Sequence, residues 1–193
     1  MNDINLELYY SSDDSDDFSS SSSNARFSYV FDSINIENKS VLDFGCGTGK
    51  LYEWLHNNNK KHKSYVGFDI RLNTLRYAQQ KNAYDSAHIA AEFTNKFPTE
   101  KFDVIVLFGT VSYAFNENID ICKKYYEKEI KKLFTLLNDD GKLFLTLRKV
   151  GKELSKDHKK MITYTHEEIT SISPKFVIED LFEHEYIVTY FKS

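Results

Sequence analysis

The sequence predicts an α/β fold: a mostly parallel sheet with helices on both faces, closed by an antiparallel hairpin. Three observations predict it. Apolar, β-branched runs alternate with segments of helical period, the pattern of successive βα units. The run Phe102-Asp103-Val104-Ile105-Val106-Leu107-Phe108 is nearly continuous apolar sequence, as a central strand buried on both faces requires. Near the end, Phe176 to Phe182 and Tyr186 to Phe191 are joined through Glu183-His184-Glu185. That connection is too short for a crossover helix, so the two strands must run antiparallel.

The elements follow in order. Residues 11 to 23 are serine and aspartate apart from Phe18. Such a segment cannot bury enough apolar surface to offset its ordering entropy, so residues 1–23 are expected to form a mobile arm, a candidate lid. Its acids, Asp13, Asp14, Asp16 and Asp17, come in adjacent pairs and lack the pattern of a calcium loop. Residues 24–193 form the expected single domain. A helix from Asn24, a fair N-cap, carries Phe27, Val30, Phe31 and Ile34 on one face. The first strand is Ser40 to Phe44, and a helix from about Gly49 places Leu51, Trp54 and Leu55 together. A polar loop, Asn57 to Lys63, leads to the second strand, Ser64 to Phe68, and then to a helix over Asn73 to Asn82. A short third strand is expected near His88 to Ala91. After the fourth strand, a helical stripe of Tyr126, Ile130, Leu133, Phe134 and Leu137 leads to a turn, Asn138-Asp139-Asp140-Gly141, and a fifth strand, Lys142 to Leu147. Thr165 and Glu168 have the spacing of a capping box opening a short helix.

Composition narrows the function classes. With 193 residues, 41% hydrophobic and 28% charged, the chain has an ordinary globular composition and enough length for a sizeable core. Its net charge of −4 offers no overall basic surplus for neutralising phosphates. The two cysteines make no disulfide framework, which points to a reducing, cytoplasmic setting. No apolar stretch is long enough to span a bilayer, so no membrane partner is expected. No Cys/His spacing suggests a metal site.

The chemistry concentrates in Asp43-Phe44-Gly45-Cys46-Gly47-Thr48-Gly49. In an open α/β sheet, ligands bind beyond the carboxyl ends of the strands, and this run lies just past the first one. Glycines there let the backbone turn sharply and approach a ligand. The third glycine comes one place earlier than in the dinucleotide fingerprint G-x-G-x-x-G, and Asp43 would oppose a diphosphate. A ligand with a cationic amino group suits it better. The alternative is a tight turn with no ligand. Asp69, at the end of the second strand, can accept hydrogen bonds from both hydroxyls of a ribose; its alternative is a helix cap.

Val41 to Gly49 resembles the first motif of class I S-adenosylmethionine-dependent methyltransferases. Tyr65-Val66-Gly67-Phe68-Asp69 resembles their second, and Lys101 to Leu107 their fourth-strand motif. Asn138 to Leu147 resembles their turn and fifth strand, with Asp139-Asp140-Gly141 in place of the usual proline-glycine-glycine. The resemblance spans residues 24 to 193. It implies a Rossmann-like seven-stranded sheet with the last strand inserted antiparallel beside the fifth, and S-adenosyl-L-methionine as cofactor. Gly45, Cys46, Gly47 and Gly49 would pass under the methionine part. Asp43 would fix the loop and the cofactor's amino end, and Asp69, followed by Ile70, would hold the ribose. Glu92 would meet the adenine amino group, with Phe93 beside it; a glutamate there departs from the commoner aspartate. Phe108 would also lie near the cofactor. Arg26 resembles an arginine that meets the cofactor carboxylate in some small-molecule members; its alternative is a solvent-facing helix position.

The acceptor side is less distinct. The loop Phe108 to Asn116 lacks the Asn/Asp-Pro-Pro-aromatic motif of enzymes resembling nucleobase amine methyltransferases. Tyr113 is the acceptor-side candidate, set against a role packing the loop on the core. His158 and His166 are set aside as a member of a charge cluster and a first-turn helix residue. Asp103, at the far end of its strand, reads as structural. A small-molecule acceptor is the leading expectation. An RNA or protein acceptor, for which Lys149, Lys152, Lys156, Lys159 and Lys160 would form a basic patch, and a non-catalytic methyltransferase-like subunit are the alternatives.

Overall fold

A computed structural model describes residues 20–82, 91–149, 161–173, 175–183 and 185–192. The arm expected over residues 1–23 lies outside them except for its last residues, which are helical. His158 and the lysines at 152, 156, 159 and 160 also lie outside. The chain falls into two compact units, one up to Pro98 and one from Thr99.

In the first unit, α1 (Ser20–Phe31) begins a turn before the expected Asn24. Ser23 is buried one turn ahead of the buried Phe27, so the core-facing stripe extends into the serine run. Val30 and Phe31 are fully buried, and Phe27 and Phe31 set their rings 6.1 and 6.2 Å from Trp54. Trp54 belongs to α2 (Lys50–Asn57), whose Leu51, Tyr52 and Leu55 are also buried. Strand β1 (Ser40–Phe44), buried throughout, pairs in parallel with β2 (Ser64–Phe68). After α3 (Leu72–Asn82), β3 (Ala91–Thr94) extends that sheet in parallel on the other side of β2. Of the strand expected near His88 to Ala91, only Ala91 falls within the described residues, and it is in β3. Phe93 is the residue the core takes from this strand, and Gly67 opposite it leaves room for the ring.

In the second unit, β4 (Phe102–Leu107) pairs in parallel with β5 (Leu137–Lys149). Between them in the chain runs α4 (Ile119–Thr135), capped by Asn118, whose side chain accepts from the Asp120 N–H at 3.0 Å. Its Tyr126, Ile130 and Leu133 are buried, as the predicted stripe requires. The expected turn at Asn138 to Gly141 is a bulge within β5: Phe102 faces Leu137, yet Val104 already faces Lys142. Asp103 is held there by the Asn138 side-chain amide at 3.1 Å, a structural role. A two-residue strand, β6 (Thr163–Tyr164), too short to show a period in sequence, lies parallel to the end of β5. Helix α5 (His166–Ile172) opens with the predicted capping box of Thr165 and Glu168. The closing strands, β7 (Phe176–Phe182) and β8 (Glu185–Phe191), are antiparallel, and β8 lies between β5 and β7. The α/β class and the antiparallel C-terminal strands are thus as expected.

Candidate functional site

The loop after β1 is fastened at successive amides. The N–H groups of Gly45 and Cys46 both donate to the Phe68 carbonyl at the end of β2, at 2.7 and 2.9 Å. The Gly47 N–H donates to Asp69 Oδ2 at 2.9 Å. Gly45, Gly47 and Gly49 have φ of 86°, 54° and 78°, a left-handed backbone that side-chain-bearing residues seldom adopt. The sequence therefore needs glycine at each of these turns for conformational reasons alone. Gly49 then caps α2, its carbonyl accepting from Glu53 N–H at 3.1 Å.

Beneath the loop, Asp43 is 5% exposed and accepts a hydrogen bond from the Tyr65 hydroxyl at 2.7 Å. Burial pushes its carboxyl up to about 7; the Tyr65 bond works against that rise and the charge of Asp69 adds to it. Burial and the neighbouring Asp43 also hold the Tyr65 phenol well above its usual range. Cys46 is buried, and burial, followed by the charges of Asp43 and Asp69, raises its thiol far above neutrality. It is therefore no nucleophile.

Asp69 is 4% exposed, and its carboxylate braces the loop. Oδ1 accepts from the Arg71 N–H at 2.9 Å and from Arg71 Nε at 3.3 Å. Oδ2 accepts from Gly47 N–H at 2.9 Å and from Arg71 Nη2 at 3.5 Å. Ile70, between them, is half-buried. Arg71 and Tyr65 were not singled out from the sequence. Arg71's signal was a cation two residues beyond Asp69; Tyr65 reads in sequence as one more apolar strand residue.

The other expected residues are placed as follows. Arg26 is buried in α1 at 4% exposure, so it is not a solvent-facing helix arginine. Phe93 directs its ring into an aromatic cluster, 6.0 Å from Tyr52 and 5.9 Å from Tyr65. Glu92 is exposed and stands opposite Val66 within β3, which ends at Thr94. Alternation along β3 sets Glu92 and Phe93 on opposite faces.

In the second unit, Phe108 follows β4 and is half-buried. The loop beyond it is fastened to its own unit. The Gly109 N–H donates to Thr146 Oγ1 at 2.9 Å, the Tyr164 hydroxyl to the Val111 carbonyl at 2.9 Å, and the Ile162 N–H to the Ser112 carbonyl at 2.9 Å. Tyr113 is half-buried, forms an antiparallel bridge with Met161, and accepts the Tyr126 hydroxyl at its carbonyl, at 2.8 Å. His166 stands edge-on to Tyr186, ring centres 5.5 Å apart. Lys149 pairs with Asp180 at 2.6 Å. Among the described residues no cluster of three or more His, Cys, Asp or Glu could hold a metal ion, and no helix is long and apolar enough to cross a membrane.

A family model described as "Methyltransferase domain" matches residues 24–183. The chain belongs to that family. It is 29% identical over 124 residues to the tRNA U34 carboxymethyltransferase of Campylobacter curvus, covering 62% of this chain and 38% of that protein. It is 28% identical over 103 residues to the putative methyltransferase 235L of Invertebrate iridescent virus 6, covering 50% and 38%. The matches thus span well under half the length of these curated relatives. Among solved structures, magnesium protoporphyrin IX methyltransferase from Synechocystis PCC 6803, determined with S-adenosylhomocysteine bound, superposes with a TM-score of 0.68 at 16% identity, covering 90% of this chain and 84% of that one. At that identity the likeness establishes the fold, a Rossmann-like methyltransferase fold, which the sequence motifs had implied.

Proposed function

We propose that the chain binds S-adenosyl-L-methionine over the glycine loop and directs its methyl group to a small-molecule acceptor. The observation that carries this reading is the Gly47 N–H to Asp69 bond, which joins the glycine turn to a ribose-type carboxylate. Those residues fit the cofactor. The loop is bare of side chains at Gly45, Gly47 and Gly49, and a Cβ placed at Gly47 would meet nothing nearer than Arg71 Nη2 at 3.7 Å. Asp69 would hold the ribose hydroxyls, Asp43 would support the loop beside the amino end, and Phe108 and Arg26 remain candidate cofactor contacts.

The bound sulfonium supplies an electrophilic methyl carbon. The chain's task is to hold an acceptor in line with it, and such positioning supplies much of the rate. Tyr113 is the proposed acceptor-side residue. Its loop is fixed by Thr146, Ile162, Tyr164 and Tyr126. A fixed loop favours positioning over proton transfer.

Calorimetric titration with S-adenosylhomocysteine tests the reading. Binding is expected, and Asp69→Ala should weaken it by about tenfold or more, since hydrogen bonds to a charged group are worth roughly 1.5–3 kcal/mol. Absence of binding by the wild type, or indifference to the substitution, would refute the cofactor assignment. One observation favours a second acceptor class: the Campylobacter relative is named for a tRNA uridine. Filter binding of tRNA as a function of salt separates the two, because phosphate recognition weakens steeply as salt rises.

A further inference from the structure

We propose that Arg71 is a placeholder on the ribose carboxylate: its guanidinium rests on Asp69 and must swing away before a ribose can bind. The inference rests on the cofactor reading of the site and deepens it. A carboxylate offers about four acceptor positions. At Asp69 all four are taken: by the Gly47 N–H and the Arg71 N–H, both at 2.9 Å, and by Arg71 Nε at 3.3 Å and Nη2 at 3.5 Å. The two backbone donors are fixed by the glycine turn and by the start of α3. Only the guanidinium can leave.

The geometry favours its leaving. Its two bonds are the long pair of the four, and the Arg71 side chain keeps 22% of its surface exposed against 5% for Asp69. Nη2 lies 3.7 Å from where a Gly47 side chain would begin, so the guanidinium rests over the bare face of the loop. A guanidinium that still reaches water can exchange its carboxylate for solvent more cheaply than a buried carboxylate can be left alone. Arg71 therefore neutralises Asp69 until a diol replaces it. The affinity of the site becomes a difference between two sets of bonds, and it falls on ligands without vicinal hydroxyls, which cannot displace the arginine.

The test compares wild type, Arg71→Gln and Arg71→Lys by calorimetry and thermal melting. The probes are S-adenosylhomocysteine, adenosine and 2′,3′-dideoxyadenosine. Arg71→Gln should bind the first two roughly two- to fivefold more tightly, the scale of one solvent-accessible charged contact. Its affinity for the dideoxynucleoside should not change. The unliganded variant should melt lower than wild type, because Asp69 then loses its cation, and its ligand-induced shift should be larger. Arg71→Lys, a point charge without the fork, should fall between. Raising salt should improve binding by wild type more than by Arg71→Gln. Equal or weaker binding of S-adenosylhomocysteine by Arg71→Gln would overturn the placeholder and leave the cofactor reading standing, as would an equal gain for the dideoxynucleoside. No binding of any adenosine ligand by any of the three proteins would overturn both.

Discussion

At the scale of single residues, the buried Asp43 makes stability depend on pH. Its carboxyl sits near 7 when folded and at the ordinary 3.8 when unfolded. Between those values the folded state holds the proton and the unfolded state releases it, so stability falls as pH rises, and the loss is complete above 7. Asp43→Asn keeps an acceptor for Tyr65 without that cost. Relative to wild type it should gain about 2 kcal/mol between pH 5.5 and 8, at 1.4 kcal/mol per pH unit up to 7. Denaturant titrations at the two pH values measure this; an unchanged difference would mean that the carboxyl does not titrate there. Gly67 gives a second expectation. A methyl group there would stand 2.7 Å from Phe93 Cδ1 and 3.0 Å from Cys46 Sγ. Gly67→Ala should therefore cost about 1–3 kcal/mol, by overpacking, and should loosen the glycine loop through Cys46. Melting and cofactor titration would show both. Asp43, Asp69 and the glycines are legible in sequence because each is a polar or backbone requirement set where apolar residues would otherwise stand. Arg71 was not, because a cation at the start of a helix looks like any solvated surface charge.

At the scale of elements, the strands that sequence locates best are those buried on both faces, β1, β2 and β4. β3 is harder to locate, because its described residues offer a single buried side chain, Phe93, and one residue sets no period. The turn foreseen at Asn138 to Gly141 was real as a local kink. Asp140 takes a φ of 61°, but the chain stays in the ladder on both sides, so the kink became a bulge. The capping box of α5 was readable because its two partners lie within one turn. Glu168 there receives the Thr165 N–H at 2.8 Å and pairs with Lys123 of α4 at 2.6 Å. Partial burial works upward on its carboxyl, yet Lys123 and Thr165 hold it below 4.5. What that contributes to stability is complete above pH 4.5 and fades as pH falls below it. Thr165→Ala should cost about 1 kcal/mol, the usual worth of a lost cap, measurable by urea unfolding at neutral pH.

At the scale of the whole molecule, the alternation of strands and helices foretold the fold class, and the first glycine motif foretold the family that the match over residues 24–183 bears out. The acceptor was not legible, because it is read by loops whose residues serve packing and recognition at once. A net charge of −4 makes tight, sequence-independent tRNA binding unexpected. Titration with bulk tRNA at low salt should show at most weak association; strong binding that collapses with salt would favour the RNA acceptor. The placing of β8 between β5 and β7 carries a different consequence. It covers Lys142 to Arg148 of β5, a stretch whose apolar residues would make a sticky open ladder. The strand left outermost, β7, carries Glu179 and Asp180, charges that discourage another chain from docking along it. The hairpin thus guards against self-association as well as completing a sheet. A chain cut before β7 should precipitate during refolding where the intact chain stays dispersed, and light scattering would record the difference.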